Sequence, residues 1–191
     1  MRMFLSSLVF VLLTSPAFAQ ITGETEIGSD GRGERFFSQY VFVDTVHVGG
    51  LARYFWVNDV AHRGEFVVGP TFKINKLVLK PGVGATTDKQ IMVSCVVALP
   101  IMSRRILYIG DRKLATRTGE PHELYQKLFV ALTPGGVLQF RMEDLLIGSW
   151  HGFQRIGIEG RYNLPRNAHI YAAPFYDTVR KYTGFQAGLR F

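Results

Sequence analysis

Apolar and polar residues take turns along the second half of this chain, with a period of two. Leu138, Phe140, Met142 and Leu146 alternate against Gln139, Arg141 and Glu143, and Ile156, Ile158 and Tyr162 alternate against Arg155, Glu159 and Arg161. The last residues, 183–191, repeat the pattern, with Phe185, Ala187, Leu189 and Phe191 set against Gln186, Gly188 and Arg190. Successive side chains of an extended chain point to opposite faces, so each segment reads as a strand with one greasy face and one polar face. No stretch with a clear 3.6-residue period competes with this reading.

Strand-like runs of about ten residues, the length that a tilted membrane-crossing strand requires, recur from the carboxy-terminus back towards the start. They cover Thr183 to Phe191, Ala168 to Tyr176, Phe153 to Tyr162, Val137 to Leu146, Leu124 to Leu132 and Arg105 to Gly110. Upstream come Gln90 to Leu99, Leu77 to Val83, Glu65 to Lys73, Leu51 to Val57 and Arg35 to Asp44, and Gln20 to Ile27 supplies a first strand. Between them, tight turn signals at 163–167, 133–136 and 74–76 alternate with longer polar connections at 177–183, 147–152, 111–123, 84–89 and 58–64. The 99–104 connection belongs with the short set.

After the first 19 residues no apolar run approaches the ~20 residues of a membrane-spanning helix. Aromatic residues make up 13% of the chain and glycine is frequent, a combination that suits interfacial girdles and a narrow interior. In lipid, the remaining way to satisfy every backbone group is a closed barrel without edges. The expected fold is therefore all-β, a transmembrane up-and-down antiparallel barrel of twelve short strands, with ten or eight strands and longer loops as the alternatives. A final strand closed by a terminal aromatic, here Phe191, resembles the last strand of bacterial outer-membrane β-barrels. That resemblance implies that the assembly machinery of those barrels reads Phe191, and that the partners are outer-membrane lipids and that machinery.

The amino-terminus fits the same compartment. Arg2 precedes an apolar run from Met3 to Leu13, followed by the A-x-A pattern Ala17-Phe18-Ala19, as in a secretory signal peptide. Cleavage is expected near Ala19, leaving residues 20–191 as one barrel domain in the bacterial outer membrane. The alternative is an uncleaved anchor, for which the run is short. Cys95 is the lone cysteine, so no intramolecular disulfide staples the fold.

A charged side chain facing lipid costs up to ~2–4 kcal/mol at the midplane. Gln139, Arg141, Glu143, Arg155, Glu159, Arg161, Gln186 and Arg190 are accordingly expected to face the lumen. Asp144 breaks the pattern by sharing parity with Phe140 and Met142, which places it near the rim or beside a bulge. The inward set reads either as a packed polar core or as the lining of an aqueous path that favours anions. Tyr40, Trp56, Tyr108, Trp150, Tyr162 and Tyr176 are expected in interfacial belts.

The net charge is +7, but the expected outer loops hold both signs, and no nucleic-acid patch is read from it. One local arrangement could carry chemistry: Ser149 and His151 in Gly148-Ser149-Trp150-His151-Gly152, with Asp144 or Glu159 as the orienting carboxylate of a lipid-modifying enzyme. The histidines at 47, 62, 122, 151 and 169 show no paired metal-ligand spacing, and no phosphate-binding glycine loop is present. No cofactor is expected. The functional expectation is a small passive channel or a structural envelope component. A lipid-modifying enzyme and a secreted soluble β-barrel or sandwich binder are the alternatives.

Overall fold

The computed structural model describes residues 20–30, 35–44, 48–57, 61–101, 104–114, 121–165 and 168–191. The expected signal peptide and its cleavage site lie outside the described residues, as does His47. The strand segments are β1 (Gln20–Asp30), β2 (Arg35–Asp44), β3 (Val48–Val57), β4 (Ala61–Pro70), β5 (Phe72–Ile74), β6 (Leu77–Thr86) and β7 (Ile91–Ile101). They continue as β8 (Arg104–Leu114), β9 (Glu123–Ala131), β10 (Leu138–Ile147), β11 (Trp150–Asn163), β12 (His169–Asp177) and β13 (Tyr182–Arg190). The short β5 prolongs β4 beyond Thr71 along the same neighbour, β6, and β1 pairs with β13, so the sheet closes into an antiparallel barrel of 12 strands. Closure leaves no unpaired edge.

Local chemistry explains the irregular points. Pro70 and Pro81 have no N–H to give, and the β4–β6 ladder runs from Glu65↔Thr86 to Val68↔Val83, lapses, and resumes at Phe72↔Leu79. At Gly84 the two backbones approach so closely that a Cβ would stand 1.8 Å from the Phe66 carbonyl oxygen. The turn after β9 is a short 3-10 segment, Pro134–Gly136, in which Gly135 and Gly136 take φ of 77° and 70°, the left-handed region that glycine enters without a steric penalty. At the barrel seam, Gly23 and Phe191 exchange backbone hydrogen bonds of 2.8 and 3.0 Å. The Phe191 ring lies over Gly23, where a Cβ would meet it at 2.4 Å.

The expected strands sit where the alternation places them, but several run on into the expected connections: β1 reaches Asp30, β3 starts at Val48, β4 at Ala61, and β6 reaches Thr86. β8 runs to Leu114 instead of Gly110, and β11 begins at Trp150, across a register shift between Leu145 and Leu146. That bulge lies one residue beyond Asp144 and leaves Gly152 without a register partner on β10. It re-aims the start of β11, so that His151 pairs with Leu146 and comes to lie beside Asp144 on the outer face.

The outer face is apolar: Phe66, Phe72, Ile74, Val83, Ile91, Ile156, Ile170 and Phe185 are all exposed. A contiguous greasy exterior on this scale marks a surface that meets something other than water. Trp150, Tyr162 and Tyr176 are exposed among these residues. Tyr40, expected in the same belt, is instead 3% exposed. It faces inward on the parity of Ser38 and Phe42, stacked 6.5 Å from Phe42 and edge-on to Phe55.

Candidate functional site

Inside the barrel, charge meets charge across the lumen. In the closed strand order, β1 and β10 are four strands apart, yet Arg141 on β10 pairs with Glu26 on β1 as well as with Glu143 and, at 3.2 Å, Glu159. Lys127 on β9 stands 3.1 Å from Glu143 and 3.5 Å from both Glu24 and Glu26. Arg190 bonds Glu24 at 2.9 Å and Glu159 at 2.6 Å, while Arg161 bonds Glu159 at 2.7 Å and also reaches Gln139. Gln186 donates to Glu143 at 3.2 Å, and the Tyr171 hydroxyl lies 2.6 and 2.7 Å from Glu24 and Glu26. Gln139, Arg141, Glu143, Arg155, Glu159 and Gln186 are buried, and Arg161 and Arg190 are nearly so.

Arg155 differs from its neighbours. It sits in register between Glu143 and Asp177, but makes no ion pair among the described residues. Its guanidinium lies instead 4.5, 4.3 and 4.9 Å from the ring centres of Phe36, Phe153 and Phe175, the cation–π geometry in which a ring face stands in for a counter-charge.

A second network occupies the other half of the lumen, and the sequence reading did not single it out. Arg53 on β3 bonds Glu65 on β4 and, at 2.5 Å, Asp111 on β8, across the barrel. Lys113 joins Glu65 at 2.5 Å and Glu123 at 3.2 Å. At the loop end, Arg63 holds Glu123 at 2.5 Å and Asp88 at 2.9 Å. On β3 and β4 the charged positions share their face with Leu51, Phe55 and Val67, so the strict separation of faces that betrays β10, β11 and β13 is missing there.

The catalytic candidates are only partly assembled. His151 Nδ1 lies 3.0 Å from Asp144 Oδ1, so Asp144 and not Glu159 is the carboxylate beside it. Ser149, exposed at the hairpin tip, makes no hydrogen bond to His151 among the described residues. The nucleophile that the chemistry requires is not engaged. Among the described residues no group of three His, Cys, Asp or Glu side chains could hold a metal ion.

No protein-family model and no curated protein matches the chain. Solved structures do. A KdgM porin in complex with disordered oligogalacturonate aligns at a TM-score of 0.63 and 9% identity, covering 89% of this chain and 98% of the porin. The NanC porin aligns at 0.64 and 8% identity, covering 88% of this chain and 98% of its own. The outer membrane protein Omp33 of Acinetobacter baumannii aligns at 0.53 and 10% identity, with 91% and 97% covered. The fold is that of bacterial outer-membrane β-barrels of the porin type.

Proposed function

We propose that this protein is a small passive channel of the bacterial outer membrane, whose lumen rests in a closed state held by ion pairs between opposite walls. The observation that carries this reading is the interior itself. Arg53–Asp111, Arg141–Glu26 and the Lys127 pairs span the lumen where a purely structural barrel could be filled with hydrocarbon. Removing charges from water costs several kcal/mol per ion even after relaxation, and replacing buried ion pairs by apolar residues of similar volume is often neutral or stabilising. Stability alone therefore gives no reason for this interior. A lumen that rehydrates gives one, because each charge regains solvation when the pairs part.

The porin-type fold and the apolar exterior support the outer-membrane location, with Phe191 as the terminal residue read during assembly. The cations that bridge the lumen each carry a carboxylate partner, so we propose weak selectivity between small anions and cations, and small solutes as cargo. The Asp144–His151 pair without an engaged Ser149 favours no enzymatic reading.

Purified protein reconstituted in planar bilayers tests the proposal. Brief openings of small conductance are expected, with ion permeabilities of similar size for both signs. A folded, membrane-inserted protein that never conducts would leave a structural barrel in place of a channel.

A further inference from the structure

The two charged networks are separated by aromatic rings. Tyr40 on β2, Phe55 on β3 and Tyr125 on β9 follow one another at centroid distances of 6.0 and 6.4 Å, each pair edge to face. The Arg53 guanidinium lies 5.6, 4.7 and 5.2 Å from these three rings. Since β2 and β3 lie opposite β9 in the closed sheet, the rings form a partition across the lumen. It divides a compartment walled by β3 to β8 from one walled by β9 to β13 and β1.

The compartments differ in free space. On the β9 to β1 side, the void beside Arg141, Glu143 and Arg155 is too small to hold a water molecule. On the other side a cavity of about 30 Å³ lies against Gly49, Leu51, Val67, Gly82, Ser94 and Val96, room for roughly one or two waters. Gly49, Gly50, Gly69, Gly82 and Ser94 add little bulk to a wall that Phe42, Lys80 and Pro81 complete. Ser94 is the register partner of Asp111, the carboxylate that Arg53 holds. Leu51 and Val67 belong to an apolar cluster with Tyr40 and the fully buried Met92. In the lateral row Leu51–Val67–Gly84–Met92–Lys113, this apolar layer ends on a charge of the network.

We propose that the conducting path of this barrel runs through the β3 to β8 compartment, and that Met92 with Leu51 and Val67 is its gate. The inference rests on the channel reading and adds which half of the lumen carries the solute. An apolar constriction closes a pore by excluding water and opens when it wets. Met92 is the member of this layer with the most rotatable bonds, suited to moving aside without a backbone change. The opposite compartment, cross-linked by Arg141, Lys127 and Arg190 through shared carboxylates, takes up water less readily and carries no solute.

The test uses the full barrel in planar bilayers, in a Cys95→Ala background. Ser94→Cys and Gln186→Cys place one thiol in each compartment, and a charged methanethiosulfonate reagent is added during recording. Block of current in Ser94→Cys, with Gln186→Cys unaffected, is the expected result. In parallel, Met92→Ala and Met92→Gly should spend roughly tenfold more time open, because the closed layer has lost the packing of a buried side chain. Block confined to Gln186→Cys, or Met92 variants that open no more than wild type, would overturn the path while leaving the channel reading intact. Absence of current in every variant, with the barrel shown to be folded, would overturn both.

Discussion

Arg53 and Asp111 meet at 2.5 Å from opposite walls of the barrel, and neither side chain has any exposed surface. Asp111→Ala leaves the guanidinium buried with Glu65 as its one remaining carboxylate, and breaking one partner of a buried pair costs about 3–5 kcal/mol. Replacing both residues, as in Arg53→Leu with Asp111→Leu, should cost less than the single change. Urea unfolding in detergent micelles reads the difference. A double variant weaker than Asp111→Ala would mean that the pair itself stabilises the barrel.

Gly23 and Phe191 are coupled at the seam by contact of the ring with the glycine Cα. Gly23→Leu should push the ring off the strand and lower the yield of closed barrel. Phe191→Ala should lower it too, and the two changes together should cost less than their sum, because residues in direct contact do not act independently. Fully additive losses would show that Phe191 acts elsewhere than on Gly23.

A closed ladder with no free edge resists detergent. The unboiled protein is expected to migrate faster on a detergent gel than the boiled form, and an unshifted band would argue against a closed barrel in the purified material.

Acid should loosen the turn between β6 and β7 first. Partial burial pushes the Asp88 carboxyl up, but the hydrogen bond from the Thr86 side chain and the nearby Arg63 guanidinium outweigh it and hold the group below its ordinary value. A depressed carboxylate stabilises the fold above the unfolded value, about pH 4, and this contribution is lost as pH falls through the depressed value. The amides of Thr87 and Lys89, bonded to Gly64 and Thr86 carbonyls, should then lose protection relative to their intrinsic exchange rates. In Asp88→Asn that acid-dependent change should vanish, and a variant that retained it would place the sensitive group elsewhere.

The strands were legible because one physical rule, apolar outside and charged inside, acts with period two on β10, β11 and β13. On β2, β3 and β4 the rule is diluted. Tyr40, Leu51, Phe55 and Val67 face inward among Arg53 and Glu65 because this half of the lumen is closed by hydrocarbon as well as by ion pairs, and alternation alone could not tell an inward aromatic from an outward one. Asp144 did betray its bulge, since a carboxylate with lipid-facing parity demands a local irregularity. The sequence offered Asp144 and Glu159 alike as partners of His151, and the register around Gly152, which it does not carry, decides for Asp144. The partition of the lumen is equally hidden, because Phe55 and Tyr125 are brought together only by closure of the sheet.

The paired prolines give the wall a line of weakness away from its chain ends. The seam between β1 and β13 is laced by seven consecutive register pairs and the two further bonds between Gly23 and Phe191, whereas the seven pairs that β4 and β5 make with β6 come in blocks of four and three, parted at Pro70 and Pro81. Local opening starts where a ladder is interrupted. Under heat or pulling force this cylinder should unzip between β4 and β6, splitting the chain at its first third while the terminal strands stay fastened to each other.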